Sequence, residues 1–385
     1  MLVNFKFSNF KSFKDEAEFS MEPLTNNGSI SNAIETGYKK APCVYRTSAI
    51  FGANASGKSN FIEAMLALKF LITKSYRNST DSNIYGLEYK LADTQNNALF
   101  EIEFIKNRNV YRYFIELNKK AIVREEAYYN ELQADKREKC LFKRTLTEFN
   151  SPCGIDKNIA EQTIKTRLLV SELINNRNTQ NKFIHDIYQW FSNDIHIYVN
   201  EQFELTTNIY STESDDLGEK TKFLNKAGIN ISKLLYVGQS LKSIHTNEVG
   251  KDIIFDFEAE ESAGTKTLLD LSKDLIEVLK GGRILFADEL DKSLHPHLVK
   301  YLVSLFNNPE TNPKGAQLIF TSHAHYLMDG EHLTRDQIWF VSKENGYSSD
   351  LYSLSDFKQI KRKKGAFYNE YMYGIFGAIP NINGD

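Results

Sequence analysis

Apolar and polar positions alternate at the start of the chain, Met1-Leu2-Val3-Asn4-Phe5-Lys6-Phe7, which is the two-residue period of a strand with one buried face. Strands are predicted near 1–20 and 44–51. The second ends in the unbroken apolar run Ala49-Ile50-Phe51, the pattern of a strand buried on both faces. From Asn60 to Thr73 the apolar positions switch to helical spacing. Between 84 and 130 the alternation returns in Leu99–Phe104 and Val110–Ile115, broken by Asn-rich turns, and predicts antiparallel strands. From 155 to 195 the pattern is helical, with Leu168, Leu169, Leu173, Ile184, Ile187, Trp190 and Phe191 spaced for one face. Thr206–Glu219 is polar and reads as a mobile loop. After the strand-like run Ile253–Phe257 come a helix over 265–280, a strand over 283–287, a helix over 297–307 and a strand over 317–320. Such alternation predicts a parallel sheet covered by helices, and hence an α/β fold class.

The break between the second strand and the first helix carries chemistry. Gly52-Ala53-Asn54-Ala55-Ser56-Gly57-Lys58-Ser59 fits the phosphate-loop pattern with strand before it and helix after it. Its glycines let successive backbone N–H groups turn onto a β-phosphate, and the helix N-terminus adds its dipole. Residues Gly52, Asn54, Ala55, Ser56, Gly57, Lys58, Ser59 and Asn60 are the candidate nucleotide-binding set. Lys58 is placed to bridge β- and γ-phosphates, and the Ser59 hydroxyl to ligate Mg2+, so the implied ligands are ATP and Mg2+.

Such a loop needs a carboxylate at the end of a neighbouring buried strand. Ile284-Leu285-Phe286-Ala287-Asp288-Glu289 supplies it: Asp288 is the candidate metal ligand, and Glu289 is placed to polarise an attacking water. The separation of 230 positions between Lys58 and Asp288 means that something large lies between the two halves.

Composition narrows the setting. A chain of 385 residues with 41% hydrophobic and 25% charged residues is that of a soluble globular protein. The longest apolar run, Ala64–Thr73, contains Lys69 and is too short to span a bilayer, so no membrane partner is expected. The N-terminus lacks the features of a signal peptide, which predicts a cytoplasmic protein. Cys43, Cys140 and Cys153 have no CxxC spacing, and neither disulfides nor zinc are expected. A net charge of -3 argues against a surface built throughout for nucleic acid. Lys361-Arg362-Lys363-Lys364, with Lys358 before it, reads as a solvated helix face or as a local grip on a nucleic acid backbone.

In the order of its motifs the sequence resembles the ABC-type ATPase heads shared by SMC-like and recombination-repair proteins. The resemblance implies a P-loop NTPase head with a mixed or parallel sheet, an antiparallel β layer and a helical insertion. Glu261-Ser262-Ala263-Gly264-Thr265 stands where that family has its signature, although Ser262 and Thr265 alone also read as a helix cap. Leu290-Asp291 matches the dipeptide loop (D-loop). His323, in Phe320-Thr321-Ser322-His323, matches the switch histidine that senses the γ-phosphate. The family's glutamine loop has one candidate before Tyr111, Gln95, which stays unassigned. Three units follow: 1–150, an N-terminal ATPase lobe; 151–250, a mainly helical insertion; and 251–385, a C-terminal ATPase lobe.

Asn9-Phe10-Lys11-Ser12-Phe13, Asp336–Phe340 and the closing Gly374–Ile382 are similar to the RloA-like, abortive-infection branch of these ATPases. That resemblance implies a homodimer or higher homo-oligomer in which Ser262, Gly264 and Thr265 of one copy complete the nucleotide site of the other, with Lys58, Glu289 and His323 catalytic. It also implies a sensor or scaffold in anti-phage defence, controlling a separate nuclease or Toprim-like effector. No second catalytic constellation, and no acidic cluster outside the ATPase set, is legible in the sequence. The alternative is a DNA-repair or chromosome-maintenance ATPase that clamps duplex DNA, although no sustained heptad series runs through 150–250. A transporter subunit is a third reading, disfavoured by the end motifs and the long insertion.

Overall fold

The computed structural model describes residues 1–24, 32–80, 88–91, 96–132, 137–175, 179–199, 216–343, 346–357 and 366–380. Two large sheets organise them. The first has six strands in the order Ile195–Tyr198, Ile284–Ala287, Gln317–Thr321, Thr47–Phe51, Ile338–Ser342, Asp350–Ser353. The first five run parallel, and the last closes the sheet antiparallel. Its central strands are buried at every position, as expected for a sheet covered on both faces. Alternate residues serve different cores: Ile50, Phe286, Ile319 and Val341 join one, while Ala49, Phe51, Leu285, Phe320 and Phe340 join the other.

The second sheet has seven antiparallel strands, led by Leu2–Ser8, Ala98–Lys106, Asn109–Asn118 and Ala121–Glu131. Asn107 and Arg108, both at positive φ, form the two-residue turn that sets the Ala98–Asn118 hairpin. The helix Lys58–Lys74 shares one core with this layer and with one face of the six-stranded sheet. Phe61 shows the arrangement, with its ring 5.1 Å from Phe19, 6.0 Å from Phe5 and 6.5 Å from Phe286. On the opposite face lie the helices Ala263–Gly281 and Pro296–Asn307. The expected α/β architecture with an antiparallel layer is therefore the one adopted; the stretches expected as strands near 1–20 and 44–51 each divide into two strands, while the helices expected over 60–73, 265–280 and 297–307 shift by only a residue or two at their ends.

The range 151–250 carries strands beside the expected helices. It holds the helices Lys157–Gln162, Leu169–Asn175, Lys182–Gln189 and Leu217–Lys226, but Ile195–Tyr198 is the edge strand of the core sheet itself. Lys233–Val237 and Ser240–Thr246 pair into a small sheet with Asp252–Asp256. A four-residue strand next to a helical pattern carries too little periodicity to be read. Of the loop expected over 206–219, residues 206–215 lie outside the described residues, as do Gln95, the basic run 358–364 and the last two residues of 374–382; Leu217 starts a helix. No helix is long and apolar enough to cross a membrane among the described residues.

One buried side chain ties the two sheets together. Gln317, fully buried, accepts from the Leu2 N–H at 2.6 Å and donates to the Leu2 and Tyr45 carbonyls at 3.1 Å each. Gln317→Ala strands those backbone groups away from water, so urea titration should show about 2 kcal/mol lost, with the fold retained.

Candidate nucleotide site

The loop after strand Thr47–Phe51 is shaped by close approach. A Cβ on Gly52 would run into the Val341 carbonyl oxygen, and one on Gly57, at φ 115°, into the Ser12 and Ser349 hydroxyls. Ala55 also takes a left-handed conformation, φ 59°. The Ser56 hydroxyl is buried with no hydrogen-bond partner among the described residues. The Lys58 ammonium donates to the Gly52 and Ala53 carbonyls at 2.8 and 3.0 Å. Burial lowers its pKa, and the charges of Asp288, Glu289 and Asp291 oppose that shift.

Those carboxylates arrive from strand Ile284–Ala287, two strands away. Asp288 accepts from the Thr321 hydroxyl at 2.6 Å and from the Ser59 hydroxyl. Burial raises its pKa, with a smaller push from Glu289, against the pull of Thr321, Ser59 and Lys58. The Thr321 oxygen also accepts from the Glu289 N–H at 2.8 Å. Glu289 itself sits at φ 48°, a conformation that costs a non-glycine residue free energy and gathers at functional sites. Its half-exposed carboxylate stands 3.6 Å from Lys292.

The strand between these two carries the histidine. Asp291 accepts from the His323 N–H through both oxygens, at 3.1 and 3.2 Å. Burial and then the Lys58 charge lower the His323 pKa, so its ring is neutral at pH 7 and both donates and accepts. Lys58, Ser59, Asp288, Glu289, Asp291 and His323 are thus gathered at one end of the core sheet.

The segment 262–265 is placed elsewhere. Ser262, exposed, caps helix Ala263–Gly281 by accepting from the Thr265 N–H at 3.1 Å. A Cβ on Gly264 would meet the Ser293 carbonyl, so this helix start rests on the loop that follows Asp291. No hydrogen bond joins Ser262, Gly264 or Thr265 to residues 52–59 among the described residues.

Several contributors carried no role in the sequence reading. Thr321 stood within a quoted motif but reads there only as a strand end. Ser12 accepts from the Asn60 amide at 2.6 Å and from the Ser349 hydroxyl at 2.7 Å, an arrangement that no local pattern announces. Lys11 pairs with Glu63 on the loop's helix. The expectation of no acidic cluster outside the set is corrected by Asp329, Glu331 and His332, which a tight turn brings together. Asp329 is already engaged there by Lys300 at 3.0 Å and by the His332 ring at 2.9 Å.

A hydroxyl–carboxylate pair beside a lysine offers oxygen ligands for a hard cation. Because ionising buried Asp288 costs folding free energy above the carboxyl's ordinary pKa, Asp288→Asn should melt about 2 °C higher at pH 7 without Mg2+ or nucleotide. The difference should shrink as pH falls toward about 4; thermal shift across pH measures it.

Residues 48–329 match the family described as "AAA domain, putative AbiEii toxin, Type IV TA system". No curated protein matches. Among solved structures, the chain is similar to the SMC head domain from Thermotoga maritima at 16% identity and TM-score 0.44, covering 91% of this chain and 98% of that one. It is also similar to the recombination mediator RecF in its ATPrS form, at 12% identity and TM-score 0.31, covering 92% and 98%. The RecF-ATP structure stands at 14% and 0.30, covering 83% and 93%.

Proposed function

The chain belongs to this AAA-domain family, and on that premise we propose that it binds ATP with Mg2+ at residues 52–60 and hydrolyses it. The observation that carries the reading is the meeting of Ser59 and Asp288, 229 residues apart in sequence, beside the Lys58 ammonium. Lys58 neutralises phosphate charge, and Ser59 and Asp288 hold the cation. When bound, Mg2+ supplies further neutralisation of the charge that develops on the γ-phosphate. Glu289 holds and accepts the proton of the attacking water, and neutral His323, fixed by Asp291, hydrogen-bonds the γ-phosphate oxygens.

The second half of the reading is a dimer. Ser262 is exposed at a helix N-terminus and makes no bond to its own phosphate loop, which suits donation to the γ-phosphate of a partner copy by Ser262, Gly264 and the Thr265 turn. ATP binding then closes two copies around two nucleotides and hydrolysis releases them, so turnover resets a conformation. The proposed output is control of a separate toxic effector, nuclease or Toprim-like, in RloA-like anti-phage defence. The family's description refers to a toxin–antitoxin system, in which two gene products act together, although it names the family itself as the "putative AbiEii toxin".

Glu289→Gln should retain ATP binding while hydrolysis falls by about 10²-fold or more; unimpaired turnover in a phosphate-release assay removes Glu289 as base. In the same variant, light scattering with ATP should report a dimer that Ser262→Arg abolishes, and a strict monomer throughout defeats the shared site. Copurification with the native neighbouring genes separates outputs: a bound nuclease supports defence, whereas ATP-dependent duplex binding by the chain alone supports repair.

A further inference from the structure

Only two residues, Glu261 and Ser262, join the short helix Phe257–Glu260 to the helix Ala263–Gly281, and both are extended, with ψ of 154° and 155°. A joint of that length has no hydrogen-bond ladder of its own, so the direction in which Ser262 and Gly264 are presented depends on what holds its side chains. Ser262 caps the helix that follows it. Glu261 is the other. Although Glu258, Ala259, Glu260 and Ser262 around it are exposed, its own side chain is turned inward and only 9% exposed.

The middle strand of the small sheet receives that carboxylate. The buried Ser243 hydroxyl donates to it at 2.5 Å and the His245 Nε2 N–H at 2.6 Å, both to the same oxygen. That ring nitrogen carries the proton, because an ionised carboxylate only accepts. The His245 ring is backed by the Phe255 ring, 4.8 Å away on the neighbouring strand. The other end of the short helix is tied to the same strand. Asp256 caps the helix by accepting from the Ala259 N–H, while Lys242 and Ser240 donate to Asp256 at 2.6 and 3.2 Å. Strand Ser240–Thr246 therefore grips the segment just before Ser262 at both of its ends. Bonds to an ionised carboxylate are about twice as strong as neutral ones, so the Glu261 contacts set the joint firmly.

We propose that Glu261 is a positioning residue for the shared nucleotide site: held by Ser243 and His245, it fixes the angle at which Ser262 and Gly264 meet the γ-phosphate bound by the other copy. The inference rests on the shared-site reading above and adds the residues that set the geometry of the donated half. Glu261 acts through Ser262, since no hydrogen bond joins its carboxylate to residues 52–59 among the described residues and both of its partners lie in the small sheet. A free carboxylate beside groups that approach a phosphate would repel it, and engagement inside the sheet removes that charge from the approaching surface. Misplacing a group at a reacting centre by about 1 Å costs about 10²-fold in rate, so a small rotation of this two-residue joint is enough to matter.

The test measures ATP binding by calorimetry and turnover by phosphate release, both with Mg2+ on the full chain. Glu261→Ala should bind ATP as the wild type does while kcat falls about ten-fold or more. His245→Leu should lower kcat in the same way, and His245→Gln, which keeps an N–H donor toward Glu261, should restore most of it. Mixing then separates a role in the partner's site from support of the variant's own fold. In a heterodimer of Glu261→Ala with Lys58→Ala, one site combines an intact loop with an intact donated half, so the mixture should regain turnover that neither variant shows alone. Ser262→Ala mixed with Lys58→Ala is the reference. Wild-type kcat in Glu261→Ala overturns the proposal. So does recovery in the Ser262→Ala mixture without recovery in the Glu261→Ala mixture, which leaves the shared site standing. Recovery in neither mixture overturns the shared site and the positioning role with it.

Discussion

Everything at the site depends on one helix being held from both sides. Lys58–Lys74 is buried along most of its length between the antiparallel layer and the core sheet. A helix apolar on nearly all faces is stable only when enclosed in this way. At its N-terminus the first backbone N–H groups have no partners within the helix. That end is where Gly57, Lys58 and Ser59 stand. Packing therefore delivers a rigid, electropositive helix start to the end of the sheet, and the remaining site residues are positioned relative to it.

The stabilisation sacrificed there is identifiable. Lys58 and Asp288 are both buried, and burial moves each pKa toward its neutral form. Glu289 adds a strained backbone and Ser56 an unpartnered hydroxyl. A fold selected for stability alone would avoid all four, and strain of this kind persists only where its surroundings enforce it. Thr321 provides much of the enforcement, with a single hydroxyl that orients both Asp288 and Glu289. The interposed strand Gln317–Thr321 is thus a spacer whose end residues hold the carboxylates on one flank and present His323 beside them. The opposite flank, stitched by Ser12, Asn60 and Ser349, stays open as a cleft.

How much could be read in advance varied with distance along the chain. The phosphate loop is contiguous, and its flanking strand and helix have clear periods, so residues 47–74 were legible almost to the residue. The strand leading to Asp288 was equally plain, as four apolar residues ending in two acids. By contrast, Ile195–Tyr198 joins the core sheet as an edge strand with only four residues and a helical run before it. Nothing local distinguishes it from a loop. Ser349, Glu63 and Gln317 were invisible for another reason: each acts through a partner dozens to hundreds of residues away, and no spacing in the sequence encodes such a meeting.

By itself, the sequence determined the α/β class, the phosphate loop and the acidic strand end, because each is a local pattern whose period or residue types follow from short-range sterics and burial. It also marked Ser262 and Gly264 at a helix start. Only the tertiary structure decided that Ser59 and Asp288 meet, that Thr321 orders the carboxylates, and that the start of helix Ala263–Gly281 rests on the loop after Asp291. Those outcomes depend on strand order and on which faces two sheets bury against one helix, and strand order arises from long-range pairing that no local pattern specifies.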